Sequence, residues 1–279
     1  MVFVDAAQAV AAPGDLFSPS PRVIYEKAPL SQVICQLRFP PLLKIESEPP
    51  ADFQERIRHR FPLLERTQLQ IPDLPPELAQ MLGAAIPQSK SEFSFRTEDG
   101  ASTLNLGPEQ IALTTTKYTR WERFLDDLTP ALQALLELYR PSFFQRVGLR
   151  YINTIVRSAL EIPDERWSAL LQSHILGELT IPAVEAQVTE LKRNIRVDLP
   201  NEPGCAMFLQ HGFAKKTDNS EIVYRLDFDF SRSAKTEVAD ARDTLNRFNS
   251  MVGRAFRWCI TESLHEHLRP VPMELDNAG

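Results

Sequence analysis

Cysteine is scarce in this chain: only Cys35, Cys205 and Cys259 occur in 279 residues, far apart and each in an apolar stretch. A disulfide framework needs a denser, even set, and a structural zinc site needs close pairs such as Cys-x-x-Cys. Both are excluded, and each cysteine reads as a small buried hydrophobe in a reducing cytosol. Glycine is scarce too. Ten glycines, with no GxxxxGK[ST] and no GxGxxG, leave little for a phosphate-cradling loop. There is no HExxH, no GxSxG and no cysteine with an evident histidine partner, so no motif calls for a resident metal or a cofactor. No window approaches 18 consecutive apolar residues, so no membrane-spanning helix is expected. Positive charge is not in surplus. The formal net charge is −6, which disfavours nucleic acid as a partner without excluding it. The N-terminus lacks a basic region and carries Asp5, unlike a cleaved signal peptide.

What is present is the pattern of a globular chain, 43% hydrophobic and 24% charged, long enough for a sizeable core. Thirteen of its 22 prolines precede Gln88, so the first third reads as extended segments, turns and short helices. Residues 1–22 read as a disordered tail. Val33–Phe39 alternates as a strand, with Val33, Cys35, Leu37 and Phe39 on one face and Ile34, Gln36 and Arg38 on the other. Phe53, Ile57 and Phe61 recur at fourfold spacing and predict a short helix over 51–61. Residues 62–90 read as a Pro-rich linker with one helical turn at 76–82. Three strands follow as a meander over 92–97, 102–106 and 110–116, the first pair closed by the hairpin signal Asp99-Gly100. A helix over 121–139 carries Trp121, Leu125, Leu128, Leu132, Leu135, Leu136 and Tyr139 on one face. Pro130 predicts a kink or a restart capped by Thr129.

The second half repeats this plan: a strand over 144–156, a helix over 164–176, a meander over 188–199, 205–214 and 221–230, and a long helix over 235–268. Gln36-Leu37-Arg38-Phe39 and Gly148-Leu149-Arg150-Tyr151 mark equivalent opening strands about 112 residues apart. The expected fold is α+β: two tandem β-α-β-β-β-α repeats, antiparallel sheets with helices on one face, joined into one pseudo-symmetric saddle. The expected divisions are 23–141 and 142–270, with a tail over 271–279.

Candidate site residues come from strand parity. Asp227 and Asp229, two apart on a strand, share a face with Arg225, and Lys192, Asn194 and Arg196 are placed on a neighbouring strand. Such a carboxylate pair can hold Mg²⁺, or it can serve as cross-strand ion pairing, which weighs more here. Arg38 and Arg150, at equivalent places in the two repeats, would together grip a phosphate or carboxylate, or else each pairs with an internal carboxylate, Asp227 for Arg150. Asn153 completes the candidate ligand-binding set. Arg56, Arg58, His59 and Arg60 form one small basic cluster, read as a solvated helix face.

The segment from Tyr25 through Pro29 to Arg38-Phe39, together with Arg146-Val-Gly-Leu-Arg-Tyr-Ile-Asn153 and the closing 256–268 helix, resembles a sporadically distributed family of uncharacterised prokaryotic proteins. The resemblance spans residues 25–269, with Gln32 standing where that pattern often has an acid. It implies a prokaryotic source and no reaction. The expected function is a non-enzymatic binding or regulatory module whose open sheet face takes a protein partner or a small anionic ligand. By analogy the role is accessory to prokaryotic defence or toxin neutralisation. Two alternatives stay open: a metal-dependent enzyme on a phosphate-containing substrate, and a nucleic-acid-binding protein. A homodimer is also left open.

Overall fold

The computed structural model describes residues 16–67, 92–216 and 220–272. The helical turn expected at 76–82 lies outside these, as do most of the expected linker, residues 1–15 of the N-terminal tail and 273–279 of the C-terminal one. The protein is α+β, with antiparallel strands predominating. It forms two compact units, one built from Gln32–Gly148 and Ser233–Arg242. The other is built from Leu149–Arg232, with the chain up to Ser31 and from Asp243 on.

In the Gln32–Gly148 unit the strands lie in the order β3 (Leu63–Thr67), β4 (Glu92–Arg96), β5 (Ser102–Gly107), β6 (Gln110–Thr115), β2 (Leu30–Arg38), each pair antiparallel. Period-two alternation places Phe93, Phe95, Leu104, Leu106, Ile111, Leu113, Val33, Cys35 and Leu37 on one buried face, as expected. The β4–β5 turn follows the Asp-Gly signal: Gly100 has φ 66°, and the Asp99 carboxylate accepts from the Ala101 amide and the Thr97 hydroxyl. Short helices α1 (Leu43–Ser47) and α2 (Ala51–Ile57) follow β2. α2 buries Phe53 and Ile57 as the spacing predicts, with Phe61 beyond its end. β3 replaces part of the expected linker. Pro62 stands just outside it, and β3 lies at the end of the strand order, where a nearby proline costs no ladder bond.

Helix α3 (Trp121–Leu138) departs from expectation twice. It runs unbroken through Pro130, and Thr129 caps nothing. Its buried stripe runs Phe124, Leu128, Ala131, Ala134 and Leu135, leaving Leu125, Leu132 and Leu136 only half-buried. Ala131 and Ala134 are fully buried within this stripe.

In the Leu149–Arg232 unit the strand order is β7 (Arg146–Ile155), β10 (Ile222–Arg232), β9 (Cys205–Lys215), β8 (Lys192–Asp198). The helix expected over 164–176 is instead a series of single turns: α4 (Trp167–Leu170), α5 (Ser173–Leu176), a 3₁₀ turn and α6 (Pro182–Glu185). The long helix over 235–268 is likewise divided into α7 (Ala241–Cys259) and α8 (Glu262–His267). One interaction causes both breaks. Leu171 and Ile260 pair as an antiparallel bridge, Gln172 N–H donates to the Cys259 carbonyl and Thr261 N–H to that of Leu170, so each chain must be extended there. Helix α7 covers one sheet face with Leu245, Phe248, Val252, Phe256 and Cys259, Phe248 meeting Phe230 at 6.0 Å between ring centroids.

β1 (Val23–Tyr25) pairs with β11 (Pro270–Pro272), so the expected C-terminal tail starts inside a strand. Phe17, expected in a disordered tail, is buried against Trp258 at 5.6 Å. All three cysteines are free and buried, and burial pushes the Cys35 thiol up to about 12. Among the described residues no helix is long and apolar enough to cross a membrane.

Phe53 is fully buried, 5.7 Å from the Phe95 ring and 6.3 Å from Tyr139. Phe53→Ala is expected to cost about 3–5 kcal/mol of unfolding free energy, measured by urea denaturation.

Candidate functional site

With helices on one face of its sheet, the Leu149–Arg232 unit presents the other face of β7, β10, β9 and β8 to solvent. That face is polar because parity assigns it Arg225, Asp227 and Asp229 on β10. Antiparallel register then places Gly212, Gln210 and Phe208 opposite them on β9, and Lys192, Asn194 and Arg196 one strand further on β8.

Asp227 is the centre of this face. It is only 2% exposed, on the face opposite to the one that α7 covers. Arg150 approaches from β7 in the fork geometry, Nε to Oδ1 and Nη2 to Oδ2, both 2.7 Å. Arg225, two residues back on the same strand, adds Nη2 to Oδ2 at 2.9 Å. Both arginine side chains are 40% exposed, so the guanidiniums themselves are the lid that removes the carboxylate from water. Their hydrogen bonds occupy both carboxylate oxygens, and Asp227 in turn holds the Arg150 guanidinium protonated beyond its ordinary range. The charge of Asp229 also acts on Arg150.

Arg150, Arg225 and Asp227 are therefore brought together as ion pairs, with Asp229 near enough for its charge to act on Arg150. Mg²⁺ coordination by Asp227 would have to displace two arginines, and among the described residues no group of three or more histidine, cysteine, aspartate and glutamate side chains could hold a metal. Arg196 is on the same face but not beside Asp227. β9 intervenes, about 10 Å separates β8 from β10 at two strand spacings, and Arg196 pairs with Asp198 at 3.3 Å. Asn153, expected in the ligand-binding set, shares parity with Leu149, Tyr151 and Ile155 and is buried on the opposite, helix-covered side, away from Asp227. Arg38 belongs to the other unit, where it lies 3.7 Å from Glu109. Phe208 and Gln210 were missed, although the signal was available. In a meander the middle strand separates the outer two, so the residues beside Asp227 and Asp229 had to come from 205–214. Phe208 is 39% exposed.

The Gln32–Gly148 unit has its own polar face. Arg146 donates to Gln36 Oε1 at 2.9 Å, Gln36 donates to Gln110 Oε1 at 2.7 Å and Gln110 donates to Glu92 Oε1 at 2.9 Å. The basic cluster over 56–60 is dispersed into ion pairs: Arg56 with Glu137, Arg58 with Glu55, Arg60 with Asp127.

On the helix-covered side of β9 and β10, His211 Nδ1 and Tyr224 Oη are hydrogen bonded at 2.8 Å, while His211 Nε2 is buried with no hydrogen-bond partner among the described residues. Burial, and secondly the charge of Arg193, lowers the His211 pKa to about 4. No family model matches the chain, and no curated protein matches it.

Two predictions follow from these geometries. Arg150→Met leaves a buried carboxylate with one remaining donor, whereas Asp227→Asn leaves two half-exposed guanidiniums free to turn to water. In chemical denaturation Arg150→Met is expected to cost about 2–4 kcal/mol and Asp227→Asn about 1 kcal/mol; the reverse order would contradict the lid geometry. As pH falls from about 6.5 to about 4, the unfolded chain takes up a proton at residue 211 that the folded chain refuses, so stability should decline by up to about 3 kcal/mol. The difference between wild-type and His211→Gln unfolding free energies, taken across that range, isolates this contribution.

Proposed function

We propose that this chain is a binding or regulatory module without catalytic chemistry of its own, and that the open sheet face of the Leu149–Arg232 unit takes a protein partner. One observation carries the reading. Phe208 stands 39% exposed on a face otherwise ordered by ion pairs, in register with Asp229 and Arg196. An aromatic anchor ringed by pre-positioned arginines and carboxylates is the composition of an interface centre rather than of an idle surface. The Arg150–Asp227–Arg225 cluster fixes its side chains before any partner arrives, so less conformational entropy is lost on association.

A small anionic ligand is the second reading, supported by the half-exposed guanidiniums of Arg150 and Arg225. Arg150 already gives its Nε–Nη2 fork to Asp227, Arg225 gives Nη2, and the Arg225 Nε is buried away from solvent, which ranks such a ligand behind a protein partner.

Tandem duplication belongs to the same proposal. The order β4-β5-β6-β2 in one unit matches β8-β9-β10-β7 in the other, and a long helix follows the last strand of each, α3 and α7. The saddle-like joining of two such repeats and membership of the prokaryotic family named above are part of this proposal as well.

The experiment is native mass spectrometry on untagged protein isolated gently from its own host. Wild type is expected to carry a second chain. Phe208→Ser, with a melting curve to confirm that it folds, should lose it, and Arg58→Glu in the other unit should keep it. A bare chain in wild type, or equal retention by folded Phe208→Ser, counts against the reading.

A further inference from the structure

The Gln32–Gly148 unit contains a cleft of about 210 Å³ where β5, β6 and the start of α3 meet, with Arg60, Lys117, Arg120 and Arg123 in its lining against only two carboxylates, Asp99 and Asp127. A second cleft of about 120 Å³ shares Arg60, Arg123 and Asp127.

Both carboxylates are already engaged. Asp127, itself 8% exposed, accepts Arg60 Nε at 2.5 Å and Nη2 at 2.9 Å. Asp99 accepts the Thr97 hydroxyl at 2.8 Å, the Ala101 amide at 3.0 Å and Lys117 Nζ at 2.9 Å, bonds that hold its carboxyl far below the ordinary range. Once Arg60 is matched with Asp127 and Lys117 with Asp99, two positive charges are left over. Among the described residues Arg123 reaches Asp126 alone, at 3.6 Å between two well-exposed side chains, a pair that contributes little. Arg120 is exposed and makes no ion pair among the described residues. Arg60 adds single donors rather than a fork: Nε and Nη2 are given to Asp127, and among the described residues Nη1 makes no hydrogen bond.

We propose that this cleft is a binding site for the phosphate group of a small phosphorylated metabolite, gripped by Arg120 and Arg123 and steadied by the Asp127-anchored Arg60. The two forks of Arg120 and Arg123 with the remaining donors of Arg60 exceed what the two oxygens of a carboxylate can accept, whereas a phosphate monoester presents three oxygens and about two charges. The hydroxyls of Tyr118 and Thr119 in the lining extend the polar surface beyond the phosphate. Helix α3 adds to the field, since its 18 aligned peptide dipoles start here with no side-chain cap. Sequence reading passed over this segment because Lys117, Arg120 and Arg123 flank a helix start and Arg60 is more than fifty residues away.

The test is calorimetric titration of the full chain with inorganic phosphate against sodium chloride of matched ionic strength, and against citrate. Saturable phosphate binding is expected, weakened at least tenfold in the Arg120→Gln/Arg123→Gln double variant and unchanged in Arg58→Gln. Both replaced arginines are exposed, so the double variant should melt with wild type, and a melting curve confirms that it folds. Heat no greater than that of chloride would overturn the proposal, as would equal affinity in the double variant. Citrate binding as tightly as phosphate would overturn the choice of ligand.

Discussion

An antiparallel sheet that buries one face against helices must satisfy its other face largely by itself, and most of this molecule follows from that constraint. The side chains that alternate away from the core cannot all be simple surface residues, because neighbours on adjacent strands stand only about 5 Å apart. In the Gln32–Gly148 unit they link as a chain of donors and acceptors from Arg146 through Gln36 and Gln110 to Glu92. In the Leu149–Arg232 unit they converge on one carboxylate, and two arginines shield it so fully that a group on an uncovered face becomes a buried one.

That convergence bears directly on function. Both oxygens of Asp227 are hydrogen bonded to guanidiniums, which fixes Arg150 and Arg225 in place on this face. In the binding reading proposed above, the rim of that cluster and the half-exposed ring of Phe208 would meet the partner. The cleft beside α3 is the opposite case. There the carboxylates number fewer than the cations, and the ion pairs leave donors over.

The strands were legible in the letters because period-two alternation reports directly which side chains face the core. Val33 to Phe39, Phe93 with Phe95 and the run from Ile222 to Phe230 all obeyed it. The same parity should have removed Asn153 from the candidate set, since it falls in step with Leu149 and Tyr151. The long helices were less legible. Apolar periodicity continued past Cys259 and through 171, yet the Leu171–Ile260 bridge, between residues 89 positions apart, required extended backbone in both segments. Pro130 is the opposite case: a local rule predicts a break, and α3 runs through it with Ala131 and Ala134 buried beside it.

The sequence by itself determined the α+β class, the strands and their faces, the burial of three unpaired cysteines and the residue types available to a site, because each depends on spacing along the chain. Only the tertiary structure decided that Arg150, Arg225 and Asp227 are one closed cluster, that Arg196 stands two strands away and that Arg60 shares a cleft with Arg120 and Arg123. Those outcomes depend on strand order and on contacts across dozens of residues, where charge complementarity between two positions cannot be told apart from coincidence until the chain has brought them within hydrogen-bonding distance.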